Sequence, residues 1–412
     1  MSSAPRPVLL FAFHFPPEST AGSARPARFF KYLPEFGYAP QVITAAAQPE
    51  PQPDVHYIPA TTLYPNKYTL PGAVEIALHK TILPTELALL WAGRAARAAR
   101  RMMRRRPFVA ALSTAPPLNT HLAGMLFKRQ CGVPWIADFR DPLVGNSYRE
   151  ICGALPRRAD RMLERLIVRS ADLTVSVTDV VADAWRARYP EQAGKVRLLW
   201  NGYDPDEDLR PAPLPPRSTR ILAHIGTLYG VRNPMALLHS LQRLIQSGRL
   251  KPGALRIQLV GGICDDAHRD DATIAWLQER ESLEILPLMP RAEALRYMTS
   301  ADYLMLLDLH AGDTAYAVPS KLYEYVRVGR PVLVMTHRGT PVDRIVAGSG
   351  IPHVSIYPQD DDARVDAKVL DLMALPPEPT APSDWFIDTF DGRRQTAALA
   401  RILDSLAATE PI

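Results

Sequence analysis

A short polar cluster inside an otherwise apolar stretch is the first feature that could do chemistry. Val318–Met335 has the sequence VPSKLYEYVRVGRPVLVM. Pro319 favours the first turn of a helix, where a residue has no intrahelical use for its N–H. The N–H groups of Ser320, Lys321 and Leu322 would then be free at the helix N-terminus. Together with the helix dipole, they are predicted to bind an anion.

Glu324 lies on the same predicted helix. Leu322, Tyr325 and Val326 form its apolar face, and at about 100° per residue Glu324 lies roughly opposite that face. The helix therefore turns Glu324 either to solvent or to a ligand. The alternative is an ion pair with Lys321, three residues earlier, worth a few tenths of a kcal/mol.

A second charged set follows a predicted strand in WIADFRDPL, Trp135–Leu143. Asp138, Arg140 and Asp141 form an acid–base–acid group at the strand end, where ligands of parallel sheets bind. One or two of these residues could bind hydroxyl groups of a ligand, and Arg140 could stabilise developing negative charge. The alternative is an internal salt-bridge cluster.

An arginine run without acids fills WAGRAARAARRMMRRRP, Trp91–Pro107. On a helical wheel, six of its arginines fall within roughly 140°, with the alanines and methionines opposite. The arginines are Arg94, Arg97, Arg100, Arg101, Arg104 and Arg105. An anionic membrane surface is the predicted partner of Arg94–Arg106. The alternative is a solvated helix face. Nucleic acid is not expected, because no aromatic residues are interleaved with the arginines.

The elements that must position these residues alternate between apolar strands and helices. This alternation predicts parallel sheets covered on both faces, and 412 residues are too many for one ordinary core. We predict an N-terminal Rossmann-like domain over 1–203, a proline-rich linker over 204–218 and a second Rossmann-like domain over 219–385. Residues 386–412 are predicted to form a helix that packs back on the first domain.

The cysteines, the apolar segments and the histidines narrow the class of protein further. The cysteines Cys131, Cys152 and Cys264 form no CxxC motif, which favours a reducing compartment and argues against disulfides or structural zinc. The short apolar N-terminal run predicts no signal peptide, and no segment is long enough to span a membrane. The histidines have no ligand spacing, so neither a metal nor another cofactor is expected.

Six segments in order resemble bacterial glycosyltransferases of family 4, which have the GT-B fold. They are FPPESTAGSARPARFFKYLPEFGYAPQVIT, STAPPLNTHLAG, WIADFRDPL, NGYDP, HIGTLYGVRNPMALLHSL and PSKLYEYVRVGRPVLV. The resemblance implies an α/β architecture of two doubly wound Rossmann-like domains that face each other across a cleft. It also implies a nucleotide-sugar donor, with the N-terminal domain on the acceptor side.

The resemblance assigns donor-binding roles to particular residues. Glu324 would accept hydrogen bonds from the ribose hydroxyls, and the amides of Ser320, Lys321 and Leu322 would hold the distal phosphate. Near Gly226, the family usually carries an arginine and a lysine on the diphosphate. Thr227 stands at the first of these positions here and Arg232 at the second.

Further roles are implied with less support from the residues themselves. The family's paired glutamates are incomplete here, because Tyr316 stands at the first position, and Asp313 would contact the donor sugar instead. Gly22 and Ser23 would lie beside the diphosphate or sugar, although their loop lacks GxGxxG. His121 falls at a family histidine, and Arg140 stands where many relatives place another histidine.

The implied function is transfer of a sugar from a nucleotide-sugar donor, expected to be UDP-linked, to a hydroxyl of a saccharide or lipid-linked acceptor. Retention of configuration is expected, in the synthesis of cell-surface polysaccharide, lipopolysaccharide or glycolipid. The expected location is cytoplasmic, peripheral at the inner face of the plasma membrane. The alternatives are a sugar-nucleotide epimerase of the same fold and a non-catalytic basic protein that binds membrane or nucleic acid.

Overall fold

The computed structural model describes residues 4–18, 20–47, 50–60, 89–146, 153–228, 232–263, 270–310 and 316–407. The chain divides into two compact units. Unit 1 comprises Met1–Asp204 and Asp391–Ile412, and unit 2 comprises Pro205–Phe390. Residues 205–218, predicted as linker, thus belong to unit 2, and the last helix belongs to unit 1.

Unit 1 is built on a parallel sheet of seven strands in the order β3-β2-β1-β4-β5-β6-β7. The strands are β1 (Arg6–Ala12), β2 (Tyr38–Thr44), β3 (Val55–Tyr57), β4 (Ala110–Ala115), β5 (Trp135–Phe139), β6 (Leu173–Ser176) and β7 (Val196–Leu198). Its order reverses between β1 and β4, and ligands bind at such a switch point.

The helices of unit 1 connect these strands. They are α1 (Ala21–Tyr32), α2 (Leu89–Met103), α3 (Asn119–Cys131), α4 (Ala154–Ser170) and α5 (Asp179–Arg188), with 3-10 turns at Leu33–Phe36 and Pro190–Lys195. Gly37 follows the first turn in the left-handed conformation that glycine tolerates, as the sequence predicts. Ala95 and Ala99 of α2 are buried and every arginine within Arg94–Arg101 is exposed, so the predicted two-sided helix is confirmed over this part. Arg104 and Arg105 are exposed too, but they follow the end of α2.

Unit 2 is built on a parallel sheet of six strands in the order β10-β9-β8-β11-β12-β13. The strands are β8 (Arg220–Ile225), β9 (Leu255–Val260), β10 (Leu283–Leu286), β11 (Tyr303–Asp308), β12 (Val332–Thr336) and β13 (His353–Ile356). The helices are α6 (Met235–Gln246), α7 (Asp271–Glu279), α8 (Arg291–Ser300), α9 (Ser320–Val328), α10 (Pro341–Gly348), α11 (Asp362–Ala374) and α12 (Asp384–Phe390). The switch point lies between β8 and β11.

The last helix, α13 (Gly392–Ala407), occupies most of the segment predicted as helix, which begins at residue 386. Leu399, Ala400 and Leu403 are buried in the core of unit 1. Asp404 accepts hydrogen bonds from Arg6 and from the hydroxyl of Tyr38, the latter at 2.8 Å. These contacts attach α13 to the start of the first two strands.

The predicted fold class is confirmed as two α/β units, each with a parallel sheet of Rossmann-like order. The predicted alternation of apolar strands and helices is present in both units. Two short edge strands, β3 and β13, were not predicted, because three or four residues carry too little alternation to stand out. Within the described ranges, no helix is long and apolar enough to cross a membrane.

Candidate functional site

The helix that carries the opening motif begins one residue later than its proline suggests. Pro319 precedes α9 as its N-cap, and its carbonyl accepts the Leu322 N–H at 3.0 Å. The prediction of three free amides is therefore wrong for Leu322, because the carbonyl of an N-cap residue accepts the first hydrogen bond of the helix. The amides of Ser320 and Lys321 have no acceptor among the described residues, so two amides remain for an anion.

Glu324 is neither on the apolar face nor fully in solvent. Leu322, Tyr325 and Val326 are buried as predicted, while the Glu324 side chain is 15% exposed. Its Oε1 accepts from Arg291 Nη2 at 3.0 Å, and Arg291 also binds Glu207. The ion pair thus forms with Arg291 of α8 rather than with Lys321, the partner that the sequence suggested.

The ion pair also changes the pKa of Arg291. Burial lowers the pKa of the guanidinium, but the carboxylates of Glu324 and Glu207 outweigh burial and raise it. One cation shared by two acids fixes the orientation of Glu324 and leaves its second oxygen, Oε2, outside this ion pair. An oriented carboxylate with a remaining acceptor is suited to binding neighbouring hydroxyls.

Gly226 ends β8 at the switch point, and its φ of +118° favours glycine. A Cβ there would lie 2.1 Å from the Nζ of Lys321. A Cβ on Gly261, after β9, would lie 2.6 Å from the Gly226 carbonyl carbon. The two glycines therefore allow backbone and ammonium to approach each other closely.

The ammonium of Lys321 consequently lies directly over the β8 loop. Burial lowers its pKa, the Arg232 cation lowers it further, and Glu324 raises it. Arg232 lies two residues before the N-cap of α6, and Asn233 Oδ1 accepts the Met235 N–H at 2.8 Å. Pro234 is the N-cap residue of this helix, and the Asn233 side chain accepts the N–H of its first residue. The structure thus brings Gly226, Lys321 and Arg232 together.

Two buried side chains hold the end of β8 and the loop that follows it in place. Tyr325 of α9 accepts the Ile225 N–H through its hydroxyl at 2.9 Å, which ties the helix to the end of β8. His224 Nδ1 lies 2.9 Å from the Met305 carbonyl oxygen. Burial and the nearby Lys321 cation lower the pKa of His224 to about 3, so the ring is neutral near pH 7. Thr227 is half-buried just beyond this support.

An acid–histidine pair at the end of β11 was missed by the sequence analysis. Asp308 and His310 are both buried, and His310 Nδ1 lies 2.7 Å from Asp308 Oδ1. The signal was the polar ending of an otherwise apolar strand in YLMLLDLH, on the strand that neighbours β8. Asp313, predicted to contact the donor sugar, lies outside the described residues.

In unit 1, residues of the predicted acid–base–acid group bind different partners rather than one another. Asp138 is buried and binds the guanidinium of Arg25, with Nη2 to Oδ1 at 2.8 Å and Nε to Oδ2 at 3.0 Å. Arg25 also donates to the carbonyls of Leu199 and Trp200 at 3.0 and 2.7 Å. This geometry favours the structural alternative for Asp138, with Arg25 as its cation.

Arg140 instead joins two loops at the switch point of unit 1. Its guanidinium donates to the carbonyls of Gly22 and Pro116, which follow β1 and β4. A Cβ on Gly22 would lie 2.9 Å from Arg140 Nη1, so glycine permits this contact. Asp141 is half-buried beside it, and burial raises the pKa of its carboxyl group, while Arg140 lowers it. Gly22 and Arg140 are thus brought together.

Ser23 is engaged locally. Its hydroxyl lies 2.6 Å from the Glu18 carbonyl oxygen and 2.8 Å from that of Thr20, and its amide donates to Thr20. These bonds shape the loop that precedes and begins α1. Its predicted contact with the donor remains a prediction.

His121 is buried in the first turn of α3, with its ring 4.2 Å from that of Phe139. Ser113 Oγ lies 2.8 Å from His121 Nδ1 and accepts the Trp135 indole N–H at 2.8 Å. With the indole N–H accepted at one lone pair, the hydroxyl can donate to Nδ1 of a ring that is protonated at Nε2. Burial lowers the pKa of His121 to about 3, so it is a neutral donor and not a general acid near pH 7.

Asn119 was not predicted and lies two residues before His121, in the first turn of α3. Both polar atoms of its side chain are buried and lack a partner among the described residues, as does His121 Nε2. Buried polar groups are nearly always hydrogen-bonded, so Asn119 and His121 are candidates for a hydrogen bond to water or to a ligand. The signal in the sequence was a polar NTH triplet directly after a strand and two prolines.

No three His, Cys, Asp or Glu side chains of the described residues converge to hold a metal ion. The described residues of both units offer electrostatic chemistry: amides and cations for an anion, and carboxylates and amide groups for hydroxyls.

Comparison with known proteins agrees with this chemistry. Residues 20–202 match the family described as a glycosyl transferase 4-like domain. The two Rossmann-like units have the GT-B type of fold, which solved glycosyltransferase structures share. A comparison with curated proteins finds no match.

Solved structures similar to this chain come from several enzymes. An α,α-trehalose-phosphate synthase (UDP-forming) from Burkholderia vietnamiensis has a TM-score of 0.62 at 12% identity, covering 98% of this chain and 100% of its own. WaaG, a glycosyltransferase involved in lipopolysaccharide biosynthesis, has a TM-score of 0.57 at 14% identity over 98% and 95%. A putative UDP-N-acetylglucosamine 2-epimerase from Listeria monocytogenes has 0.56 at 12% over 99% and 98%. At such identities these likenesses establish the fold.

Proposed function

We propose that the protein transfers a sugar from a UDP-linked donor to a hydroxyl of a saccharide or lipid-linked acceptor, with retention of configuration. The observation that carries this proposal is the Lys321 ammonium over Gly226, beside Arg232 and the N-terminus of α9. Two cations and two amides at a switch point form a site suited to a diphosphate.

Different residues of unit 2 would bind different parts of the donor. Lys321, Arg232 and the amides of Ser320 and Lys321 would hold the pyrophosphate and stabilise the charge that grows as the nucleoside diphosphate departs. Glu324, oriented by Arg291, would accept from the ribose hydroxyls. Retention leaves no need for a strong base on the opposite face of the sugar.

The residues of unit 1 suit an acceptor or the donor's sugar. Asn119 and the Nε2–H of His121 offer neutral hydrogen-bonding groups, and Arg140 holds the Gly22 loop in place. A cytoplasmic location, peripheral at the plasma membrane, and a role in polysaccharide, lipopolysaccharide or glycolipid synthesis belong to the same proposal. The similarity to a lipopolysaccharide glycosyltransferase supports that class of acceptor.

The role of Glu324 is tested by UDP-dependent thermal stabilisation. Glu324→Ala should raise the Kd for UDP roughly tenfold or more, because hydrogen bonds to a charged group contribute about 1.5–3 kcal/mol. At a fixed UDP concentration near the wild-type Kd, its stabilisation should nearly vanish. Glu293→Ala, an exposed glutamate on α8, is the matched control. Equal UDP stabilisation of Glu324→Ala and wild type would show that the ribose assignment is wrong.

A sugar-nucleotide epimerase is the second candidate, because a putative UDP-N-acetylglucosamine 2-epimerase has the same fold. An epimerase needs no acceptor. Incubation with UDP-N-acetylglucosamine alone should leave the donor's configuration unchanged if the protein is a transferase, and an epimerised product would favour the second candidate.

The arginine face of α2 is proposed to approach an anionic membrane surface. Arg97, Arg101 and Arg104 are exposed, while Ala95 and Ala99 are buried. Each basic residue near such a surface contributes about 1 kcal/mol.

Replacement of Arg97, Arg101 and Arg104 by Ala should therefore weaken flotation with anionic liposomes by about 100-fold in partition coefficient at low salt. Arg249, Arg296 and Arg364, exposed in unit 2, provide a control triple with the same change of net charge. Unchanged flotation of the α2 variant would contradict the proposal.

A further inference from the structure

Helix α4 has an outward face that combines apolar and basic side chains. Leu155, Met162 and Leu166 are 60%, 65% and 45% exposed. Their spacing of seven and four residues places them within about 40° of one another on a helix. They form a continuous apolar stripe, whereas single exposed apolar residues are ordinary on protein surfaces.

Arginines border this stripe. Arg158, Arg161, Arg165 and Arg169 are exposed, and at 100° per residue they lie along one side of the apolar stripe. Arg158, Arg161 and Arg165 share a groove with Met162 that opens toward the 3-10 turn after α5. The outward face therefore presents cations and alkyl groups together.

The acids of α4 point the other way. Asp160 and Glu164 are buried, and Glu164 binds Arg188, the Tyr189 hydroxyl and the amides of Leu143 and Val144. Helix α4, all of which lies in the described part of the chain, has no acid on its outward face, although Glu191 of the 3-10 turn after α5 lines the same groove and lies 3.8 Å from Arg169. This face is complementary to a surface that is both anionic and apolar just beneath its charges.

We propose that the outward face of α4 inserts into the headgroup region of an anionic phospholipid bilayer. Leu155, Met162 and Leu166 enter among the first acyl carbons, and the bordering arginines bind lipid phosphates. An amphipathic helix with apolar and basic residues on its free face binds in the plane of such an interface. Arginine binds phosphate in a forked geometry, which holds the helix at headgroup depth.

Other occupants of this face fit less well. A second copy of the chain, related by a two-fold axis, would bring the same arginines against each other. A nucleic acid would leave the apolar stripe unused, because Leu and Met offer no rings on which bases stack. A bilayer is the surface that satisfies the arginines and the stripe together.

The two basic helices belong to one layer of unit 1. Helix α3 contacts both α2 and α4. Lys128 of α3 donates to the Ser170 carbonyl at the end of α4 at 2.9 Å. Burial raises the pKa of Cys131 at the end of α3, while Arg100 of α2 and Arg104 just after α2 lower it. The proposal therefore extends the membrane contact proposed for α2, because α4 adds the apolar component that α2 lacks. It rests in part on that proposed contact.

The test is flotation of the full-length protein with phosphatidylcholine vesicles, with and without 30% phosphatidylglycerol, at about 0.1 M and 0.5 M salt. The first variant replaces Leu155, Met162 and Leu166 by Gln, which keeps helix propensity. The second variant is the α2 triple Arg97→Ala, Arg101→Ala and Arg104→Ala. Leu288→Gln, which removes a 78% exposed leucine from unit 2, is the control for apolar loss.

The apolar variant should lose at least tenfold of its partition coefficient at 0.1 M salt and all detectable binding at 0.5 M salt. The α2 triple should lose binding mainly at 0.1 M, because screening weakens its contribution at high salt. Leu288→Gln should float like the wild type. Circular dichroism and UDP stabilisation should be unchanged in all three variants, which shows that unit folding and donor binding are intact.

Several outcomes overturn the proposal. If the apolar variant floats like the wild type while the α2 triple does not, α4 is not the inserted element and the α2 contact stands. If the wild type floats with neither vesicle, both membrane contacts fail while UDP binding is unaffected. If the apolar variant converts a dimer to a monomer, or if only nucleic acid is bound, the face serves a different partner.

Discussion

Replacement of Lys321 by Met should raise the Kd for UDP by about 10–100-fold and leave the affinity for uridine within about twofold. The Nζ of Lys321 lies 2.1 Å from the position of a Cβ on Gly226, and the nearby Arg232 cation lowers the pKa of this lysine. The ammonium is proposed to bind the diphosphate, and methionine keeps the length of the side chain while it removes that charge. Isothermal titration with UDP and with uridine measures the two affinities.

The pH dependence gives this prediction a second readout. Because burial and Arg232 lower the pKa of Lys321, its ammonium is present at low pH and is lost at a lower pH than in an exposed lysine. UDP affinity of the wild type should decline as pH rises through that pKa, and Lys321→Met should abolish the decline. Lys251→Met, an exposed lysine of unit 2, is the matched control. UDP affinity within twofold of the wild type in Lys321→Met would exclude a diphosphate contact.

Replacement of Arg25 by Ala should destabilise unit 1 by about 3–5 kcal/mol and lower its Tm on the order of 10 °C. The substitution leaves the Asp138 carboxylate buried without its cation and leaves the carbonyls of Leu199 and Trp200 without their donor. Differential scanning calorimetry measures the effect. This loss should be far larger than any effect on UDP affinity, because Arg25 lies in unit 1.

Two comparisons make the stability prediction specific. Lys31→Ala removes a solvent-exposed ion pair with Asp204 and should cost less than about 1 kcal/mol. The double variant Arg25→Met with Asp138→Leu should recover much of the loss, since no unpaired charge remains buried. If the Tm of Arg25→Ala is close to that of Lys31→Ala, the ion pair with Arg25 is not the main role of Asp138, and Asp138 is again a candidate for substrate binding.

Most of the secondary structure could be predicted because its signals are local. Apolar runs such as Tyr303–Leu307 and the apolar face of α9 repeat at strand or helix spacing, and glycines such as Gly37 mark helix ends. The alternation of these elements determined two parallel-sheet units. The resemblance of six short segments to glycosyltransferases added the donor chemistry, and Lys321 and Glu324 were both within the motif.

The pairing of charged side chains was decided by the tertiary structure alone. Glu324 finds Arg291 33 positions away, and Arg25 finds Asp138 113 positions away. A local pattern offers only neighbours, so it suggested Lys321 for Glu324 and Arg140 for Asp138. Likewise, the position of the Lys321 ammonium over Gly226 depends on β8 lying beside the strand that leads to α9. Sequence spacing determines which face of an element a residue occupies, whereas the order of strands in the sheet determines which other element that face meets.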